Sequence, residues 1–178
     1  YLFGNKPVPF DMLYWNSDST RIPAKLHSDY LRSCYLNNKI IKKQYQLNKN
    51  LLDLKKIKIP ILQIATTEDH IAPWSSVYSG LKYYGKKPEF ILANSGHIAG
   101  IIQGKNAKPG KQHYFINSNS DFDEDSEEWL KKSKKVEGSW WPKWIDWLKP
   151  FSGEAKKIDH NKKFKKIYNA PGKFVLEK

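Results

Sequence analysis

The chain has 178 residues, one cysteine, and a net charge of +13 from 31 Lys and Arg against 18 Asp and Glu. That length is enough for one domain with a real core. The lone Cys34 excludes an internal disulfide and suits a reducing compartment, and the longest apolar run, at 57–65, is far short of the roughly 20 residues a spanning helix needs.

The lysine surplus is spread along the whole chain. Residues 149–178 alone hold nine lysines against three acids, Glu154, Asp159 and Glu177. A nucleic-acid footprint would gather such charge on one element, and no nucleic-acid-binding motif is present. The charge therefore reads as a solvated surface. Attraction to an anionic partner, such as a phosphate-bearing cofactor or a lipid-coated surface, is the alternative. The chain opens on "YLFGNKPVPFDMLYWN", with no initiator methionine, preceding strand or signal peptide. We expect a segment of a longer, soluble, cytoplasmic protein with no membrane span.

In chain order, "NKPVPF" is a proline-rich entry loop and "NSDSTRIP" a turn. Leu26, Tyr30, Leu31 and Tyr35 then fall along one side of a helix. "KKQYQLNKNLLDLKK" reads as an exposed connector, so residues 1–56 are expected to be mostly helical, without strands. "IKIPILQIA" has the β-branched, continuously apolar character of a strand buried on both faces. A helix starting near Pro73 follows, with Trp74, Val77, Tyr78, Leu81 and Tyr84 in helical spacing and Gly85 as its stop. "EFILAN" is a second strand. Strand, helix, strand is the order of a parallel sheet.

Residues 105–125 read as a polar surface loop. "DSEEWLKKSKK", with acids first and lysines last, suits a helix dipole. "GSWWPKWIDWLKP" reads as a helix with Ser139 as N-cap and Pro150 as stop. Trp141, Trp144, Ile145 and Leu148 would form its core stripe, leaving Trp140 or Trp147 as the exposed member of the cluster. Residues 149–178 form a basic tail, weakly ordered by composition.

The chemistry concentrates at "TTEDHIAPW" (66–74) and "NSGHIAG" (94–100). Each puts a capable side chain, Asp69 and then His97, just beyond a strand, where open α/β sheets collect reactive groups. A carboxylate that accepts a hydrogen bond from one imidazole nitrogen sets the tautomer and frees the other nitrogen as a base. Spacing alone supports a second reading equally: Asp69 as a turn former and His97 as a structural residue. Acid then histidine, late in the chain, is also the order of α/β-hydrolases, whose nucleophile comes earlier on a strand–turn–helix elbow. Neither G-x-S-x-G nor G-x-C-x-G occurs here. The five histidines, His27, His70, His97, His113 and His160, show no metal-ligand spacing.

Longer runs carry a specific likeness. "YLFGNKPVPFDMLYWNSDSTRIP", "YLRSCYLNNK", "EDHIAPW", "SGHIAG", "GSWWPKWIDWL" and "APGKF" resemble, in order, the class I polyhydroxyalkanoate (poly-3-hydroxybutyrate) synthases, and span essentially the whole chain. The resemblance implies the C-terminal portion of an α/β-hydrolase fold, parallel strands with flanking helices, preceded by part of a helical cap. Residues 1–56 would be cap, 57–148 catalytic domain and 149–178 tail. It implies an acyltransferase that polymerises (R)-3-hydroxyacyl-coenzyme A and releases coenzyme A, with no cofactor beyond that carried by the substrate. His97 then matches the base that activates a cysteine thiol. Asp69 matches its carboxylate partner, which orients the histidine or activates the 3-hydroxyl.

The family's G-x-C-x-G elbow is missing, and Cys34 lies in a helix-like stretch without elbow glycines, so it reads as a packing residue. By itself the segment is expected to be inactive. The implied partners are the polyester chain or granule surface, and either a second copy or the N-terminal half of a synthase. Asp11, Trp15 and His70 are substrate-channel candidates, each balanced by a packing or loop role. An esterase or depolymerase of the same superfamily, and a non-catalytic granule-binding module, are the competing readings.

Overall fold

A computed structural model describes residues 19–104, 110–157, 167–169 and 172–173. Helix α1 spans Ala24–Tyr30 and runs into a π-helical turn at Leu31–Leu36. The connector beyond it is not irregular. Strands β1 (Gln46–Leu47) and β2 (Asn50–Leu51) pair as an antiparallel hairpin. Its turn places Asn48 and Lys49 at φ 49° and 66°, the left-handed pair of a type I′ turn. Sequence periodicity misses this hairpin because its strands are only two residues long.

The main sheet has four strands in the order β3, β4, β5, β6. They are β3 (Leu62–Thr66), β4 (Glu89–Ala93), β5 (His113–Ile116) and β6 (Lys134–Glu137). β3 and β4 are parallel, in register from Leu62↔Glu89 to Thr66↔Ala93. β5 and β6 then run antiparallel, so the sheet is mixed and the expectation of parallel strands holds for one pair only. Two further expectations are corrected here. Residues 113–116, expected in a loop, form β5. The helix at "DSEEWLKKSKK" spans only Ser126–Lys131, and residues 134–137 become β6. β6 is solvent-facing and alternates little, so local pattern reads it as helix. Its register against β5, from His113↔Glu137 to Ile116↔Lys134, is a nonlocal fact.

β4 shows why the sheet is stable. Its side chains alternate between two apolar layers, as the two-residue period of a strand requires. Phe90 and Leu92 pack with Ala65, Tyr78, Leu81, Phe122 and Trp129. Ile91 and Ala93 pack on the other face with Tyr114 and Trp140. The first layer is covered by α2 (Trp74–Gly80), a 3-10 turn at Leu81–Tyr83, and α3 (Ser126–Lys131). Three ring pairs, Tyr78–Phe90, Phe90–Trp129 and Tyr78–Trp129, sit 4.9–5.7 Å apart in edge or tilted geometry, a favoured arrangement of aromatic quadrupoles. Gly85 lies just past this turn, where an added Cβ would fall 1.8 Å from the Lys55 carbonyl oxygen. Only glycine fits that approach.

The last helix, α4, spans Trp141–Leu148, and a 3-10 turn at Lys149–Phe151 takes in Pro150. Its expected core stripe is not buried: Trp144 is 38% exposed and Ile145 46%. Trp140, by contrast, is buried. Burial at this corner belongs to the residue ahead of the helix.

Candidate active site

Asp69 and His97 lie in loops that follow β3 and β4, the parallel pair, at their carboxyl ends. Two backbone bonds stitch these loops together. The Thr67 N–H donates to the Ala93 carbonyl at 2.9 Å, and the Glu68 N–H to the Ser95 carbonyl at 3.0 Å. Ser95 stands at φ 79°, a left-handed conformation that costs a non-glycine residue about 1–3 kcal/mol. It turns the chain so that His97, two residues on, faces β3's loop.

The pair expected from the sequence is formed. His97 Nδ1 lies 2.8 Å from Asp69 Oδ2, across 28 residues of sequence. The other carboxylate oxygen accepts from the Ile71 N–H at 2.9 Å and the Ala72 N–H at 2.8 Å. Asp69 is thus both a turn former and the imidazole's partner, and the two readings of its sequence context are one structure. The Ala72 amide first, then His97 and the Ile71 amide, hold its carboxyl below the ordinary aspartate range against some opposing desolvation. A carboxylate ionised at neutral pH accepts only, so Nδ1 carries the proton. In the neutral ring this leaves Nε2 with its lone pair. The Asp69 side chain is 9% exposed and that of His97 44%, so the carboxylate is shielded and the imidazole is open. Among the described residues Nε2 has no hydrogen-bond partner.

The other candidates are not part of this pair. His70 is exposed and supplies none of the contacts holding Asp69. Asp11 and Trp15 lie outside the described residues. Cys34 is a half-buried free thiol in the turn after α1. Among the described residues, no group of three or more His, Cys, Asp or Glu is placed to hold a metal ion. No helix there is long and apolar enough to cross a membrane. A cavity of about 380 Å³ lined by Lys87, Glu89, Ile91, Asn117 and Lys143 opens at the amino end of β4, and neither Asp69 nor His97 lines it.

Sequence reasoning missed the residues that support the pair. Gly100 closes the turn that carries His97, its N–H bonding to the Gly96 carbonyl at 2.8 Å. A Cβ at Gly100 would meet Thr66 Cγ2 at 2.3 Å and the Asn94 carbonyl oxygen at 2.8 Å. Gln103, 1% exposed, donates its amide to the backbone and side-chain oxygens of Asn94. The Asn94 side chain in turn accepts from the His113 N–H and donates to the Lys111 carbonyl. The glycine in "HIAG" was a visible signal for the close approach. The polar links were not visible.

No family model matches the chain. It is 40% identical over 180 residues to the poly(3-hydroxyalkanoate) polymerase subunit PhaC of Rhizobium etli, covering 100% of this chain and 28% of that protein. Against the poly(3-hydroxyalkanoate) polymerase of Methylorubrum extorquens the identity is 42% over 181 residues, covering 100% and 29%. For the subunit PhaC of Cupriavidus necator it is 36% over 182 residues, covering 100% and 30%. This chain is homologous to a segment of the poly(3-hydroxyalkanoate) polymerases. The resemblance carried by its motifs is borne out along the full length. The chain spans under a third of the length of the polymerases it matches.

Proposed function

We propose that the chain supplies the acid–base half of a polyhydroxyalkanoate synthase site. The observation that carries this reading is the 2.8 Å Asp69–His97 contact, with Nε2 open, in a chain related to the polymerases. The nucleophile is a cysteine thiol from outside these 178 residues, because Cys34 has no elbow around it. Nε2 takes the thiol proton, and the imidazolium that forms is steadied by the Asp69 carboxylate. The thiolate attacks the thioester carbonyl of an (R)-3-hydroxyacyl-coenzyme A. Collapse of the adduct expels the coenzyme A thiolate, which takes the proton from His97. In the second half, the 3-hydroxyl of another acyl unit gives its proton to the restored base and attacks the enzyme-bound acyl group. That step lengthens the polyester by one unit and regenerates the thiolate.

On this reading β3–β6 are the last strands of an α/β-hydrolase sheet, within a catalytic region at 57–148. Residues 1–56 are part of a cap, and 149–178 are a basic tail. β3 pairs on one side only among the described residues, leaving a backbone edge to which preceding strands would add. The partners are the acyl-coenzyme A, the polyester or its granule surface, and either the remainder of a synthase or a second copy of this chain.

The test is to express the chain alone and mixed with an upstream half that carries the cysteine elbow. Coenzyme A release from 3-hydroxybutyryl-coenzyme A is followed with a thiol reagent. Release should appear on mixing and fall about 10²–10⁴-fold in His97→Ala. Wild-type turnover in that variant refutes the reading.

A further inference from the structure

The junction between β6 and α4 reaches back to the turn that carries His97. The Trp140 Nε1–H donates to the Gly100 carbonyl at 3.0 Å. The Trp141 Nε1–H donates to the Ile101 carbonyl at 3.0 Å. The Ser139 hydroxyl donates to the Gln103 carbonyl at 2.5 Å and accepts from the Trp141 N–H at 3.1 Å. Three consecutive side chains thus capture three carbonyls that close the 96–103 turn. The Ile101 carbonyl also accepts from the Gln103 N–H at 3.0 Å, while the Gly100 and Gln103 carbonyls, at the end of a short helical turn, lie where continuing backbone donors run out. The indoles are held in their turn: Trp140 is 6% exposed and packs on Ile91, Ala93 and Tyr114, the far face of the strand that leads into His97.

We propose that Ser139, Trp140 and Trp141 form a positioning clamp that sets the His97 imidazole against Asp69. They are positioning residues, with no contact to the reacting atoms. Their role for catalysis rests on the reading of Asp69 and His97 given above. Carbonyl solvation alone could be met by water. Fixed indole donors add a constraint on direction, because indole is rigid, has only two side-chain torsions and donates from one edge. The turn at 96–103, preceded by Ser95 in its left-handed conformation and clamped at the other end, has little freedom to swing His97 away. The two tryptophans preceding α4 therefore act through their N–H edges as well as their apolar area.

The test uses the 178-residue chain with nitrogen-15-labelled histidine, reading the tautomer of His97 and the solvent exchange of its Nδ1–H. Trp140→Phe and Trp141→Phe keep an aromatic ring and remove the donor. Ser139→Ala removes the hydroxyl, and Ser139→Thr restores it. Each donor loss should raise Nδ1–H exchange about fivefold, the factor expected for one net hydrogen bond, and Ser139→Thr should return it towards wild type. Asp69→Asn separates the two claims. Loss of the Nδ1–H tautomer in Asp69→Asn with no change in any clamp variant overturns the clamp alone. No change in Asp69→Asn overturns the pairing itself. Should either tryptophan variant fail to fold, the Ser139 pair decides the matter by the same readout.

Discussion

Residues 57–148 and the arm at 19–56 differ in where their apolar side chains go. In the first, Leu92, Ala93 and Trp129 reach 0% exposure, between strands and helices distant in sequence. In the arm, Leu26 is 57% exposed, Tyr35 71% and Leu36 75%, and α1 has no buried residue. Polar contacts such as Ser33–Asp29, Tyr45–Asp29 and Lys43–Asp53 stay within the arm. Among the described residues only its far end, at Leu54 and Lys55, bonds to the sheet region, through the Gly85 N–H and the Lys82 carbonyl. A seven-residue helix gains too few internal bonds to stand on propensity alone. Stability, and with it the geometry of Asp69 and His97, should therefore come from the sheet region.

That contrast can be broken first at Trp129. Trp129→Ala should cost about 3–5 kcal/mol in urea unfolding, the usual range for a buried large aromatic. A loss under about 1 kcal/mol would mean the aromatic layer is not the main support. Next comes Gly100→Ala, where the new Cβ meets Thr66 and the Asn94 backbone. It should cost about 1–3 kcal/mol, as overpacking does, and shift the His97 resonances. Unchanged stability and spectra would show that the two loops are not pressed together.

A smaller effect separates two carboxyls. Both Asp53 in the arm and Asp69 at the site titrate below the ordinary aspartate range. For Asp53 the leading cause is the Lys43 ammonium, and for Asp69 it is the Ala72 amide. A depressed carboxyl stabilises the fold above its unfolded value, about 3.9. That contribution fades as the pH falls through the lower folded value. Salt at 1 M, with a screening length of about 3 Å, should move Asp53 back towards normal and leave Asp69 nearly fixed. Carboxyl carbon-13 titrations check this, and equal shifts would contradict it. Smallest of all is Leu36→Ala, expected within about 0.5 kcal/mol as for other exposed positions. A cost rivalling Trp129→Ala would end the comparison.

The sequence made legible what local pattern encodes. The continuous apolar runs of β3 and β4 announced buried strands, and Asp69 and His97 were placed just beyond them. The edge strands were not legible. β6 is "KKVE", with two lysines at its start, and becomes a strand only through pairing with β5. The hairpin at 46–51 depends on a left-handed pair, Asn48 and Lys49, in which no glycine signals the turn. The support of the site was hidden for a similar reason. Ser139, Trp140 and Trp141 lie some forty residues from the carbonyls they bind, and nothing local separates an indole that donates across that gap from one that only fills space.

Nitrogen-15 NMR of the labelled histidine side chains tests the whole account most directly. A proton resident on ring nitrogen Nδ1 of residue 97 at neutral pH, lost when Asp69 becomes asparagine, is the predicted result. A neutral ring protonated at Nε2 instead, indifferent to that substitution, would contradict it.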